Sequence, residues 1–241
     1  MKKLNLLVGL FAATAMAGAA HATTVNNTSL ASPGFYNGSG NANQGFTVTT
    51  EGTTEIGLGV ANRKLGPALP AGNSNEYEVS TGYYSNPPPD FCTGSCAKWN
   101  IEFSVNLGAS SGLHLSDVTT LLTVTNLTTS ATISFDPLTT FLDNSGWNGA
   151  KNVANANLAT DYGFQNSENL AFSEFAMLGF NPLENTDYLV QFSVSQGSTQ
   201  LASVEEIIHA TPVPAALPLF VSGLGLVGFA ARRRKQKLAS A

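Results

Sequence analysis

The sequence predicts an all-β protein whose central part, residues 23–210, folds as a single β-sandwich of jelly-roll or related type. Three observations predict this fold class. Apolar and polar residues alternate over short stretches, residues typical of turns separate these stretches, and only one weak stretch resembles a helix. Since no charge block or low-complexity tract divides this part of the chain, we expect one domain.

The clearest predicted strand lies at residues 99–107, where every second residue is large and apolar. Residues 188–194 repeat this alternation, and the turn residues 196–198 are expected to close a hairpin into a strand at residues 201–208. The one helix-like stretch, residues 151–158, is rich in Asn. Six further strands are predicted at residues 45–50, 55–60, 76–81, 118–125, 131–136 and 170–175.

Charge is distributed very unevenly along the chain. The net formal charge is −5, but all sixteen acidic residues and only four of the eleven basic residues lie in the central part, which therefore carries −12. So acidic a domain repels nucleic acid and anionic lipid, and we expect no nucleic-acid partner. Attraction of divalent cations is one consequence, but a solubilising surface without a specific ligand is the preferred interpretation.

Residues 1–22 have the pattern of a secretory signal peptide. Lys2 and Lys3 form a basic start, an apolar core follows, and Ala20 and Ala22 are the small residues that signal peptidase accepts. The apolar core is shorter than the about 20 residues of a retained anchor. The pattern predicts export through the Sec translocon, cleavage by signal peptidase and a mature chain that begins at Thr23.

The C-terminal residues 211–237 have three parts. A proline-rich motif is followed by residues 215–231, which contain no charge and only one polar side chain, Ser222. As a helix this segment would span roughly 25 Å at ~1.5 Å per residue, close to the thickness of a hydrocarbon core. The basic residues 232–237 would stay cytoplasmic, which places the acidic domain outside. The basic cluster that stops transfer consists of Arg232, Arg233, Arg234 and Lys235.

This tail resembles the PEP-CTERM sorting signal, in the variant whose motif is Val-Pro-Leu-Pro-Ala. The residues at the positions of this motif are Thr211, Pro212, Val213, Pro214 and Ala215. The chain departs from the motif at Thr211 and Val213, and the resemblance covers about 27 of the 241 residues. It implies a Gram-negative protein held transiently in the inner membrane. The membrane enzyme exosortase would then remove the helix and release the protein to the cell surface or the exopolysaccharide matrix. The protein would be a substrate of exosortase.

Cys92 and Cys96 are the only cysteines. Export to an oxidising compartment favours a disulfide between them, and Gly94 allows the tight loop that it needs. A metal site would need further ligands, and His114 and His209 are the only histidines left after signal cleavage. We therefore predict a disulfide and neither a metal nor another cofactor.

Catalytic patterns are scarce in this sequence. A Ser-His-Asp arrangement needs a positioned base, and His114 is interpreted as a surface or turn residue. Paired carboxylates occur at Glu76 with Glu78 and at Glu205 with Glu206. Glu76 and Glu78 would share a strand face and could hold a cation, or serve glycoside hydrolysis with a partner across a cleft. Solvated outward positions are the preferred interpretation of the paired carboxylates. The protein is therefore expected not to be an enzyme.

One region contains residue types that bind sugars. Aromatic faces stack on sugar rings, while amides and carboxylates pair with hydroxyl groups. An ordinary loop region, with Trp147 and Phe164 packed inward, is the preferred interpretation. The candidate ligand-binding residues are Trp147, Tyr162, Asp143, Asn144 and Gln165.

Three functions are compatible with these observations. The preferred one is a non-enzymatic protein with a structural or adhesive role in the surface or exopolysaccharide matrix of a biofilm. The second is a carbohydrate-binding module centred on Trp147 and Tyr162. The third is a hydrolase, which would need a cleft with two carboxylates ~5–9 Å apart.

Overall fold

A computed structural model of the protein describes residues 22–37, 41–85, 95–150 and 155–212. Almost all of the predicted signal peptide, Cys92, the membrane helix at residues 215–231 and the basic cluster lie outside these residues. Thr211 and Pro212 are the only described residues of the proline motif. Among the described helices, none is both long and apolar enough to cross a membrane.

Twelve strands form within the described residues. They are β1 Thr23–Thr28, β2 Phe46–Glu51, β3 Thr54–Asn62, β4 Gly66–Ala68, β5 Glu76–Ser80, β6 Trp99–Asn106, β7 Thr119–Asn126, β8 Thr132–Phe135, β9 Ser145–Trp147, β10 Gly163–Glu168, β11 Thr186–Gln196 and β12 Thr199–Thr211. The helices are short: α1 at Pro137–Thr140, and 3₁₀ turns at Ala109–Ser111, Leu115–Asp117 and Ser173–Leu178.

The strands form two sheets. The seven-stranded sheet A has the order β1-β2-β3-β6-β10-β9, with β4 beside β3, and the five-stranded sheet B has the order β5-β12-β11-β7-β8. All pairs are antiparallel except β5 with β12, which run parallel. The prediction of an all-β, sandwich-like fold is confirmed, while the jelly-roll type stays a prediction.

Most predicted strands form close to their expected positions. The hairpin of β11 and β12 is confirmed, with Gln196 paired to Thr199 across a turn in which Gly197 has a φ of 57°. The strand expected at residues 170–175 is wrong, because this segment leads into the 3₁₀ turn at Ser173–Leu178. Of the predicted helix-like stretch, residues 155–158 are described and are not helical.

Aromatic side chains fill the space between the two sheets. Phe103 of sheet A is fully buried, and its ring centroid lies 5.6 Å from that of Phe192 in sheet B and 6.1 Å from that of Phe164. Trp99 and Tyr188 form a second contact between the sheets, with ring centroids 5.9 Å apart. Offset and edge-to-face aromatic pairs of this kind add to the energy of apolar burial. The alternating residues of β6 and β11 thus form the core.

Sheet A is covered on its other face as well. Leu30, Phe35, Phe46 and Val48 form a small buried cluster there. The cluster lies over glycines of β3, since a Cβ on Gly57 would come within 2.5 Å of Leu30 Cδ2, and a Cβ on Gly59 within 2.9 Å of the Phe46 ring. Glycine therefore lets these two side chains lie directly on the backbone of the sheet.

Polar side chains hold the covering segment, residues 29–37, in place. The Ala31 N–H donates to the Glu55 carboxylate at 3.0 and 3.1 Å, and the Asn106 amide donates to the Ser32 carbonyl at 2.9 Å. Farther along, the Asn37 amide donates to the Gln165 carbonyl at 2.9 Å. The segment thus crosses from the β1 side of sheet A to β10.

Glu206 corrects the expectation that both glutamates of the Glu205–Glu206 pair face solvent. Glu205 is exposed, but Glu206 is 0% exposed, and neither carboxyl oxygen has a hydrogen-bond partner among the described residues. Alternation along β12 turns Glu206 into the sandwich between Val204 and Ile208. Glu76 and Glu78 are both exposed, as expected.

Burial raises the pKa of four carboxyls, those of Glu55, Glu102, Glu168 and Glu206. Desolvation, with a smaller effect of Glu102, holds the pKa of Glu206 well above its usual range. Desolvation also raises the pKa of Glu102 and of Glu168 to about 8. These groups are protonated in the folded protein at pH values at which they ionise in the unfolded chain.

The raised pKa of Glu206 predicts that stability falls with rising pH. A carboxyl with a raised folded-state pKa stabilises the fold fully below its unfolded pKa of ~4.3, and this contribution is lost as the pH rises through the folded pKa. The slope is at most about 1.4 kcal/mol per pH unit for each such group. We expect Glu206→Gln to reduce the loss of the free energy of unfolding between about pH 5 and pH 8. Chemical denaturation at both pH values measures this loss of the free energy of unfolding.

The matched control is Glu205→Gln, the exposed neighbour on the same strand. It should leave the difference between the two pH values unchanged. An unaltered difference in Glu206→Gln would contradict the assignment of this carboxyl to the pH dependence.

Candidate functional site

Trp147 and Tyr162 lie next to each other at the edge of sheet A. Trp147 ends β9, and the Tyr162 N–H donates to the Trp147 carbonyl at 2.9 Å. The two rings meet edge to face, with centroids 6.3 Å apart at 79°. Both side chains are half-buried, whereas Phe164 is fully buried. The structure therefore brings the two predicted aromatic residues together at an edge strand, with part of each surface exposed.

Asn144 has its polar atoms engaged in the fold. It is 2% exposed, and its amide donates to the Pro137 and Phe141 carbonyls at 2.9 and 2.8 Å. Its oxygen accepts from the Asn166 amide at 3.2 Å. Asn144 thus fixes the chain between α1 and β9, and its amide does not face a ligand.

Gln165 also has its polar atoms engaged in the fold, on the outer face of sheet A. It is 2% exposed, its amide donates to the Gly34 carbonyl at 2.8 Å, and its oxygen accepts from the Tyr36 N–H at 3.1 Å. These bonds attach the covering segment to β10. Neither Asn144 nor Gln165 joins the aromatic pair in a common binding surface.

Asp143 is exposed and lines a different cavity. Its carboxylate accepts from the Asn166 amide at 3.0 Å. The cavity has a volume of about 250 Å³ and is also lined by Glu168, which is 5% exposed. Burial raises the pKa of Glu168 to about 8, with further effects of Asp143 and Glu174. Asp143 and Glu168 thus line one cavity, with one carboxyl exposed and the other buried.

Asn169, which follows β10, has a structural role that the sequence did not predict. Asn169 is fully buried, and its amide donates to the Ala97 and Trp99 carbonyls at 3.1 and 2.8 Å while its oxygen accepts from the Ala97 N–H at 3.0 Å. It therefore fixes the start of β6. Within β10, Asn166 and Glu168 share the inward face of Phe164.

Cys96 is buried and disulfide-bonded. Its predicted partner, Cys92, lies outside the described residues. Next to Cys96, Ala97 forms a bridge with Tyr83, which joins the start of β6 to the segment after β5. The predicted pairing of the two cysteines stays a prediction.

The two described histidines, His114 and His209, lie at least partly at the surface. The His114 N–H donates to Asp117 at 2.8 Å in a capping arrangement, and His209 Nδ1 lies 2.9 Å from Asp187 Oδ1 and Nε2 3.9 Å from Glu76 Oε2. Within the described part of the chain, no group of three or more His, Cys, Asp or Glu residues has the arrangement of a metal site.

Comparisons with family models, with curated proteins and with solved structures give no match for this chain. The arguments about its function therefore rest on its own residues.

Asn144 gives a test of the structural interpretation of the candidate site. Asn144→Ala removes a donor to the buried Pro137, Leu138 and Phe141 carbonyls, of which only the Pro137 carbonyl still accepts from a described donor, the Phe141 N–H. Each unsatisfied buried group costs about 1–3 kcal/mol. We expect the free energy of unfolding to fall by about 2–4 kcal/mol. The control is Leu142→Ala, whose side chain is 86% exposed and whose loss should change stability by less than about 0.5 kcal/mol. Equal effects of the two substitutions in chemical denaturation would contradict the structural role of Asn144.

Proposed function

We propose that this chain is an exported protein of the cell surface or exopolysaccharide matrix, where its jelly-roll-related sandwich has a non-enzymatic structural or adhesive role. One observation carries the proposal: the last strand of the domain ends where the tail begins. β12 ends at Thr211, whose carbonyl accepts from the Thr81 N–H at 2.9 Å, and Pro212 follows. Removal of the chain beyond the proline motif would therefore leave the sandwich intact.

The sequence of the tail supports the rest of the proposal. In the precursor, the apolar residues 215–231 and the basic residues after them would hold the protein in the inner membrane. The partners would then be the Sec translocon, signal peptidase and an exosortase-type enzyme. The product would be strongly acidic, because five basic residues leave with the tail.

Processing of the tail can be tested in cells. We expect the surface-released protein to contain no peptide beyond Ala215, measured by mass spectrometry of the C-terminus. Replacement of Pro212 and Pro214 by Ala should leave the uncleaved precursor in the inner-membrane fraction, while the control Leu238→Ala, beyond the basic cluster, should be processed normally. Released protein that retains residues 216–231 would contradict proteolytic removal of the anchor.

A second candidate function is carbohydrate binding at Trp147 and Tyr162. The observation that favours it is their contact at the sheet edge with both rings partly exposed. Amphipathic rings at such positions can stack on the apolar face of a sugar.

Tryptophan fluorescence tests this candidate directly. Trp99 is 1% exposed, so Trp147 is the tryptophan whose emission a surface ligand would change. We expect polysaccharide from the producing cells to shift the emission of the protein, and Trp147→Ala to abolish the shift and weaken binding about tenfold. Leu142→Ala, an exposed apolar control shortly before β9, should behave like the wild type. The absence of any change with every matrix fraction would rule out this site.

A further inference from the structure

A cleft between the two sheets lies away from the aromatic pair. It has a volume of about 570 Å³, within the range of small-ligand sites. It lies between β1 and β2 of sheet A and the first half of β12, and it extends onto the outer face of β7 and β11. Its lining residues are Thr24, Asn26, Thr47, Thr49, Asn75, Leu121, Thr123, Gln191, Phe192, Ser193, Gln200, Ser203, Val204 and Glu205.

The position of β5 leaves this cleft open. β5 pairs in parallel only with Ile207–Thr211, so among the described strands none covers this edge of β12 over residues 199–206. Asn75 lies at the boundary, where its amide donates to the Glu205 carbonyl at 3.2 Å. The short β5 thus ends where the cleft begins.

Hydroxyl and amide groups dominate the lining. Ten of the fourteen lining residues are Thr, Ser, Asn or Gln, and none is Lys, Arg or His. The one carboxylate, Glu205, accepts from the Gln191 amide at 3.1 Å. A site without a basic side chain gives an anionic ligand no ionic partner. The chemistry of the cleft fits a neutral ligand with many hydroxyl groups.

Two details indicate where such a ligand would be held. The Asn26 side-chain oxygen is buried beside the cleft without a hydrogen-bond partner among the described residues, although its amide donates to the Asn73 carbonyl at 3.0 Å. On the opposite side, Leu121 is 48% exposed and offers an apolar surface to the C–H groups of a sugar ring. Gln191 lies on β11, the strand between β7 and β12 in sheet B, and its side chain is exposed.

We propose that this hydroxyl- and amide-lined cleft binds a neutral polysaccharide segment. The inference deepens the adhesive role proposed above and depends on it only for the source of the polymer, since binding itself can be measured with defined polysaccharides. Glycan hydroxyls would exchange hydrogen bonds with the Thr, Asn and Gln side chains, and Leu121 would contact the apolar face of a ring.

The test is binding of the full-length protein to immobilised neutral dextran, mannan and galactan, with anionic alginate for comparison. We expect at least one neutral polymer to bind, alginate not to bind, and the affinity to be insensitive to salt between about 0.05 and 0.5 M. Gln191→Ala should weaken binding about fivefold to tenfold, because it removes a donor at the centre of the cleft. Gln196→Ala is the matched control, an exposed glutamine on the same strand outside the cleft, and should leave binding unchanged.

Several results would overturn the proposal. They are binding of alginate alone, binding of an extended peptide but of no neutral polymer, and binding of none of the polymers. Binding that is lost in Trp147→Ala and retained in Gln191→Ala would assign the sugar to the sheet edge instead. Correct processing of the tail in all these variants would show that export stands even if the cleft assignment fails.

Discussion

The central part of sheet A, strands β3, β6 and β10, is buried on both faces, and the rest of the structure depends on this constraint. Its inner face packs on sheet B through Phe103 and its neighbours, and its outer face lies under the segment at residues 29–37. Only the missing side chains of Gly57 and Gly59 allow Leu30 and Phe46 to approach the backbone closely enough. A strand in such a sheet has no solvent-facing side, so its polar residues must find partners inside the protein.

Buried amide residues meet this requirement, and two of them were candidates for the ligand site. Asn144, Gln165 and Asn169 each join separate pieces of chain through two or more hydrogen bonds. Amide side chains suit this task because they donate and accept at the same time. In this acidic domain, a high content of Asn and Gln therefore reports internal connections as much as external recognition.

The elements with large alternating apolar residues could be predicted from the sequence, and those with polar inward positions could not. β6 and β11 carry Phe, Trp, Tyr and Val on one face and form as expected. β10 was missed because Asn166 and Glu168 occupy inward positions after Phe164, and Glu206 was misplaced because it follows another glutamate. The contact of Trp147 with Tyr162 depends on the pairing of the three-residue β9 with β10, which has no local sequence signal.

The position of β12 would have a mechanical consequence if the proposed tail held the protein by its C-terminus. The strand is bonded to β11 along most of its length and to β5 at its end, so a pull on Thr211 acts along the strand. If the opposing load acts elsewhere on the sandwich, the hydrogen bonds on both sides of β12 must yield together in shear rather than one after another. The proposed tail would then pull on a strand that separates from its neighbours only when its hydrogen bonds break together. The domain would therefore resist a load applied before the tail is removed.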